Sequence, residues 1–270
     1  MIKLFNRRAL LGGIAVTLML SAAAPVLADA LDDIKARGRV LVAVDVGHPP
    51  YGMLDDKAQQ TGLDIDTAKL LAADLGVELE VVPVSGASRV PFLLSNKVDL
   101  VIASFSITEE RKKVISFSEP YGVIPVVLLG PKAAEVTDAS GLEGQTIAVA
   151  RGTTADIELD RAIKDGGINA TIVRYEDEAT TNTAIGTGQQ DYMTAALSTA
   201  QAVADQNASR DLAIKFELAA YPMAIGMRQN EPALETWVNE WINSNLKNGK
   251  LNTIYEGYFG QSLPAEMLNK

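Results

Sequence analysis

Residues 98–113 read VDLVIASFSITEERKK, and the fold of the whole chain turns on what this stretch is. Asp99 is followed by an apolar run from Leu100 to Ala103, the composition of a short strand buried in a parallel sheet. Ser104, Ser106 and Thr108 then fall at alternate positions around Phe105. Glu109-Glu110-Arg111-Lys112-Lys113 opens a helix, with Thr108 as its N-cap. A helix start already carries unpaired N–H groups and partial positive charge, so a cation in its first turn is out of place. Two readings of Arg111 stand side by side. It is either a solvated side chain offset by Glu109 and Glu110, or part of an anion site. Such a site would combine a guanidinium fork, hydroxyls and backbone N–H groups at the carboxyl end of a strand. Open α/β sheets take their ligands at such strand ends.

Outward from this stretch the pattern is strand–helix alternation. Upstream, residues 31–37 form a helix closed by Gly38 and residues 39–44 a strand, followed by a Gly- and Pro-rich loop from Asp45 to Tyr51. Residues 55–62 read as a hairpin turn. Leu63-Asp64-Ile65-Asp66 reads as a half-exposed strand leading into a helix over 67–75. Residues 77–84 are a strand and 88–95 a helix. Downstream, 123–129 is an apolar β-branched strand, after which the series begins again. Strands are predicted at 146–150, 170–174 and 191–195, with helices at 155–164, 178–187 and 199–207. Strands at 212–218 and 224–227 precede an amphipathic helix over 232–247 and a last helix over 251–258.

Two such series predict two α/β lobes. The second is too short to hold the C-terminal helices, which are expected to return to the first. The chain would then cross between lobes twice, near Val126 and Tyr221, making a hinge with a ligand cleft between the lobes. The expected division is a leader over 1–28, a first lobe from 29–125 and 224–270, and a second lobe over 126–223.

The leader is read from a basic start holding Lys3, Arg7 and Arg8, an apolar run from Ala9 to Ala24, and Val26-Leu27-Ala28 as the cleavage site. The apolar run is short for a spanning anchor, so export to the periplasm and removal are expected. Arg7-Arg8 leaves Sec and twin-arginine export both open. The chain has no Cys, which excludes disulfides, thiol chemistry and a lipidated cysteine. Without residues 1–28, 21 basic residues face 34 acidic ones, a net charge near −13 that speaks against nucleic acid or an anionic membrane as a partner. An anionic ligand would need a local basic site.

Catalytic and metal chemistry find little support. His48 is the one histidine, no nucleophile elbow surrounds any serine, and no P-loop or dinucleotide fingerprint occurs. Asp64-x-Asp66 is the best carboxylate pair, and a strand leading into a helix explains it more simply than a metal. No cofactor is expected. What remains are polar residues on loops of both series. Asp45 is either an Asx-turn at a strand end or a ligand contact. His48 and Tyr51 would wall the cleft or simply pack their loop. Arg89 begins a helix. Gly152-Thr153-Thr154 before a helix is a second anion-binding arrangement, or a plain N-cap.

Taken together, the phrases LVAVDVGHPPYG, TGLDIDTAKLLAADLGVELEVVPV, NKVDLVIASFSITEERKKVISFSEPY, GLEGQTIAVARGTTADIEL and GKLNTIYEGYFG resemble the periplasmic solute-binding proteins for polar amino acids, solute-binding family 3. The resemblance runs from about Leu41 to Gly260, nearly the whole chain after the leader. It implies two lobes joined by two strands, monomeric action, and delivery of a ligand to the membrane permease of an ABC importer. It also implies site residues one by one. Arg111 would clamp the α-carboxylate beside Ser104, Phe105 and Ser106. Thr154, next to Thr153, would meet the same carboxylate from the second lobe. Asp45 would contact ligand nitrogen, His48 would stand where an aromatic ring covers the ligand, and Arg89 would match an arginine that touches the ligand side chain in members taking acidic amino acids, so a polar or acidic amino acid is the expected ligand. One position departs from the pattern: Ala196 stands where the family usually has an Asp that pairs with the ligand ammonium. So another acid takes that role, or the ligand lacks a free α-amino group. The competing expectation is an enzyme on the same fold, dehydratase-like, with Asp45 as its acid.

Overall fold

The computed structural model describes residues 29–268, so the expected leader lies outside the described residues. Helix α1 (Ala30–Arg37) is capped by Asp29 and ends on Gly38 at φ +70°. Strand β1 (Arg39–Val44) follows, then a small hairpin of β2 (Met53–Leu54) and β3 (Gln60–Thr61). Helix α2 (Leu63–Leu75), strand β4 (Glu78–Pro83), helix α3 (Arg89–Leu94) and strand β5 (Leu100–Val101) continue the series. Helix α4 (Glu109–Lys112) and strand β6 (Ser116–Phe117) close it.

The second series runs β7 (Gly122–Pro131), β8 (Thr146–Ala150), α5 (Thr154–Gly166), β9 (Thr171–Tyr175), α6 (Glu178–Gly186), β10 (Tyr192–Ala196), α7 (Leu197–Gln206) and β11 (Leu212–Met223). Strand β12 (Gly226–Met227) and helices α8 (Pro232–Lys247), α9 (Lys250–Phe259) and α10 (Ala265–Leu268) complete the chain.

Two five-stranded sheets result, ordered β4-β1-β5-β12-β6 and β11-β7-β10-β8-β9. Each is buried under its own helices, and the fold is the two-lobed α/β architecture expected. The returning chain supplies β12 to the first sheet, antiparallel to β5 and β6. Helices α8 and α9 lie on the first sheet's side as well. Val238, Trp241 and Ile242 share one core with Ile34, Leu71 and Val42, and Trp241 Nε1 donates to Asp74 at 2.9 Å. Burying these large apolar side chains, at roughly 1.5–3 kcal/mol each, is what keeps the C-terminal helices on that lobe.

Strands β7 and β11 pair antiparallel over nearly their whole length, with register shifts near Lys215 and Leu218. Two expectations are corrected here. The strand predicted to stop at Leu218 continues to Met223, because β11 is an edge strand and tolerates Pro222. The half-exposed strand read at residues 63–66 is instead the first turn of α2. The N–H groups of Leu63 and Asp64 are held by the Pro50 and Tyr51 carbonyls, which starts the helix early.

The far end of the β7–β11 pair reaches the loop after β5. Ile107 N donates to Pro222 O and Ala224 N to Phe105 O, both at 3.0 Å. The strand pair that crosses between the lobes is therefore bonded to the serine-bearing loop itself.

Candidate functional site

Strand β5 is only two residues long, and the chain leaves it through Ser104 in the left-handed region, φ +46°. A serine there costs of order 1–3 kcal/mol. Asp64 holds it in place: Ser104 N donates to Asp64 Oδ2 at 2.7 Å, and the carboxyl is fully buried. That turn aims Ser106 and the start of α4 toward the second lobe. Thr108 caps α4, its hydroxyl accepting from Arg111 N at 3.2 Å.

Arg111 is buried rather than solvated. Nη1 donates to Ser106 O at 2.7 Å, and Nη2 reaches across to Gly152 O of the second lobe at 3.2 Å. Its guanidinium stacks on Phe105, 4.6 Å from the ring centroid, while Arg89 approaches the same ring at 5.2 Å. Among the described residues no carboxylate lies within 4 Å of either guanidinium. Burial, and then the nearby Arg89, lower the Arg111 pKa to about 9. Two buried guanidiniums with no carboxylate at ion-pair distance make an anion-seeking site, although Asp45, Glu178 and Asp64 act on Arg89 from farther away.

The second lobe meets this arrangement with the N-terminus of α5. Thr153 caps it, accepting from Asp156 N at 3.1 Å, and its hydroxyl donates to Ala150 O. Thr154 Oγ1 lies 3.1 Å from Ser106 Oγ across the lobes. A third link joins Thr199 Oγ1 to Pro49 O at 3.0 Å. The lobes are therefore closed upon each other, and the space left between them is only ≈ 20 Å³, room for little more than a water molecule.

That chamber is lined by His48, Arg89, Ser104, Thr153, Thr154 and Ala196 of the sequence-derived candidates, and by Ile124, Ala155 and Glu178. Asp45 is buried nearby and accepts from Gly47 N at 3.1 Å, an Asx-turn. Its pKa is raised by burial, with Arg89 opposing. Arg111 and Ser106 stand beside the chamber at the lobe seam, and Phe105 lies under the two arginines with no exposed surface. Tyr51 packs against His48, ring centroids 5.0 Å apart, and lines a different groove. That groove, ≈ 510 Å³ between α7 and α9, is far roomier than the chamber but receives neither arginine. Alternation along β7 separates the two spaces: Ile124 faces the chamber, and Val123 and Pro125 face the groove.

Glu178 is a site residue that sequence reasoning missed. It opens α6 directly after the Asp177 cap and is 97% buried, its carboxylate 4.0 Å from His48 Nε2. The distance resembles an ion pair, but the electrostatics do not. Burial, then Arg89, lower the His48 pKa to about 3, so the ring is neutral. Burial, then Asp45, raise the Glu178 pKa to about 8. The nearest signal in the chain was the Asp177-Glu178 pair, which reads as ordinary helix capping.

Asp64 was the other miss. Its pKa is raised to about 8, by burial first, against the opposing Ser104 bond. The folded state keeps a proton on Asp64 that the unfolded chain loses near pH 3.8. Stability contributed this way is complete below that pH and lost as pH climbs to about 8. Glu178 acts in the same direction, while His48 opposes them only below pH 6.5. Between pH 6.5 and 8 the unliganded protein should therefore lose stability in urea melts, by up to about 1.4 kcal/mol per pH unit for each acid. Asp64→Ala leaves Ser104 N–H buried without an acceptor and should cost about 2 kcal/mol in the same melts. Asp64→Asn keeps an acceptor and should cost less, with a flatter pH dependence; equal losses for both would refute this reading.

Among the described residues no cluster of three or more His, Asp or Glu is placed to hold a metal. Asp66, the other half of the Asp64-x-Asp66 pair, is engaged with Tyr258 Oη at 2.6 Å and Lys69 at 3.0 Å.

Two α/β lobes, two connecting strands and an anion-seeking seam define a hinged solute-binding protein. Comparison with known proteins places it further: residues 40–261 match the family described as bacterial extracellular solute-binding proteins, family 3, and the chain belongs to that family. The L-cystine-binding protein TcyJ of Escherichia coli is 29% identical over 94% of this chain and 96% of its own. The ABC transporter glutamine-binding protein GlnH of Bacillus subtilis is 27% identical over 88% of this chain and 87% of its own. The crystal structure of the P235GK mutant of ArgBP from T. maritima superimposes with a TM-score of 0.79 at 33% identity, covering 86% of this chain and all of that one.

Proposed function

We propose that this protein is a non-catalytic periplasmic receptor that captures a small carboxylate-bearing solute, a polar amino acid, and delivers it to the membrane permease of an ABC importer. The reading rests above all on Arg111, a buried guanidinium at the lobe seam with no carboxylate partner among the described residues. A ligand carboxylate would take its fork bidentately, with Ser106, Thr154 and the N-terminus of α5 supplying further donors. The names of the relatives, which specify cystine and glutamine, support an amino acid.

The mechanism follows from the two strands. The lobes divide at 125/126 and 223/224, and opening there frees Arg111 from Gly152 O and parts Ser106 from Thr154. Ligand replaces those contacts, so binding and closure are one event. Affinity near micromolar needs only about 8 kcal/mol.

A thermal-shift screen over the amino acids and the matching organic acids tests this. Ligand at a hundred times its Kd adds about 2.7 kcal/mol, a rise of about 5–10 °C for a chain of this size. No shift from any carboxylate would overturn the reading. Mass spectrometry should recover the bound ligand unchanged; a converted product would favour the enzyme, with Asp45 as acid.

A further inference from the structure

We propose that Glu178 and His48, one from each lobe, jointly hold the ligand's ammonium group, making this receptor selective for carboxylates that also carry an amine. The inference rests on the receptor reading above and assigns the chamber's opposite end.

The chamber has one cationic wall and one that invites a cation. Arg89 faces it with Nε and Nη1 already given to the carbonyls of Gly86 and Ala103. Ala196 offers a methyl group and Ile124 a hydrocarbon chain. Glu178 is the one carboxylate among the lining residues, and no hydrogen bond to its side chain is formed among the described residues. His48 Nε2, buried beside it, also has no hydrogen-bond partner. A neutral imidazole protonated on Nδ1 presents Nε2 as an acceptor. Glu178 Oε1 and His48 Nε2 thus form two unsatisfied acceptors 4.0 Å apart. One ammonium nitrogen can donate to both with bonds of ordinary length. Glu178 is also the one anionic side chain lining this space that could offset a positive charge.

The arrangement also joins recognition to closure. His48 stands on the loop after β1 and Glu178 on α6, so only the closed lobes bring the two acceptors together. The groups facing Glu178 are His48, Asp45, Arg89 and Asp177. Burial holds a proton on the carboxyl when no cation is near, and an arriving ammonium would expel it. Binding should then release a proton near neutral pH.

Calorimetry with three matched pairs tests this: L-cystine against 3,3′-dithiodipropionate, L-glutamine against glutaramate, and L-arginine against 5-guanidinovalerate. Each second member is the same molecule without its α-ammonium groups. The wild type should prefer the amine-bearing member of the pair it binds by at least a hundredfold. In two buffers of different ionisation enthalpy it should release most of a proton per site at pH 7. Glu178→Gln should cut the preference at least tenfold and abolish the proton release. Glu178→Asp, which keeps the charge, should restore part of both. If Glu178→Gln keeps the full preference and the proton release, the assignment to Glu178 is wrong while the carboxylate site stands. If the wild type binds neither member of any pair and no carboxylate in the thermal-shift screen stabilises it, the receptor reading fails and this one with it.

Discussion

Replacing Arg111 with Ala should raise the dissociation constant of the bound carboxylate at least a hundredfold by calorimetry. A hundredfold is about 2.7 kcal/mol, within what one or two charge-assisted hydrogen bonds contribute. The loss is expected to be this large because the guanidinium is buried at the seam, where solvent cannot stand in for it. Arg111→Lys keeps a cation but loses the planar fork and the stacking on Phe105 4.6 Å away, so it should recover only part of the affinity. An isotherm unchanged by Arg111→Ala would put the anion site elsewhere. Arg89 is then the alternative, since it lines the chamber and also lies over the Phe105 ring.

The second large effect concerns closure alone. Gly86 has an ordinary backbone conformation, yet a Cβ there would lie 2.8 Å from Arg151 O and 2.8 Å from Thr153 Cγ2, both on the second lobe. The nearest atom of its own lobe, Arg89 Nη2, is farther away at 3.2 Å and ends a flexible side chain. Gly86→Val should therefore be tolerated by the open protein and resisted by the closed one. Affinity should fall at least a hundredfold while the unliganded melting temperature changes little. Small-angle scattering should show no compaction on adding ligand. Gly152 faces Ala87 from the other lobe at 2.8 Å, but its φ of +75° would strain any substitution in the open form too, so it is the poorer probe. Normal binding by Gly86→Val would mean that the working complex does not close to this seam.

The serine loop shows how much of the site was legible in the chain. Thr108 as a cap, Arg111 in the first turn of its helix and Gly152-Thr153-Thr154 before another helix are all local features. Local hydrogen bonding and capping rules act over three or four residues, so a linear reading finds them. The choice between a solvated Arg111 and a buried one was not local. It depends on Gly152 O, 41 residues away, arriving from another lobe.

The residues that were missed fail for the same reason. Asp64 alternates with apolar neighbours, and that pattern fits a strand edge as well as a helix start. What buries it is Ser104, 40 residues on. Glu178 looks like a capping acid beside Asp177, and only closure sets it against His48, 130 residues earlier in the chain. The sharp end predicted for the strand at Leu218 was likewise a local inference, overridden by pairing with β7.

The amino-acid order by itself thus determined which segments become strands and helices, that they fall in two series, and which arginine and threonines sit at helix starts. Hydrophobic period and caps are short-range properties that each segment carries with it. Tertiary structure alone decided which polar groups lose their water and face one another across the seam. Burial and charge pairing depend on distances in space, and residues from opposite lobes acquire those distances only when the chain has crossed the hinge and returned.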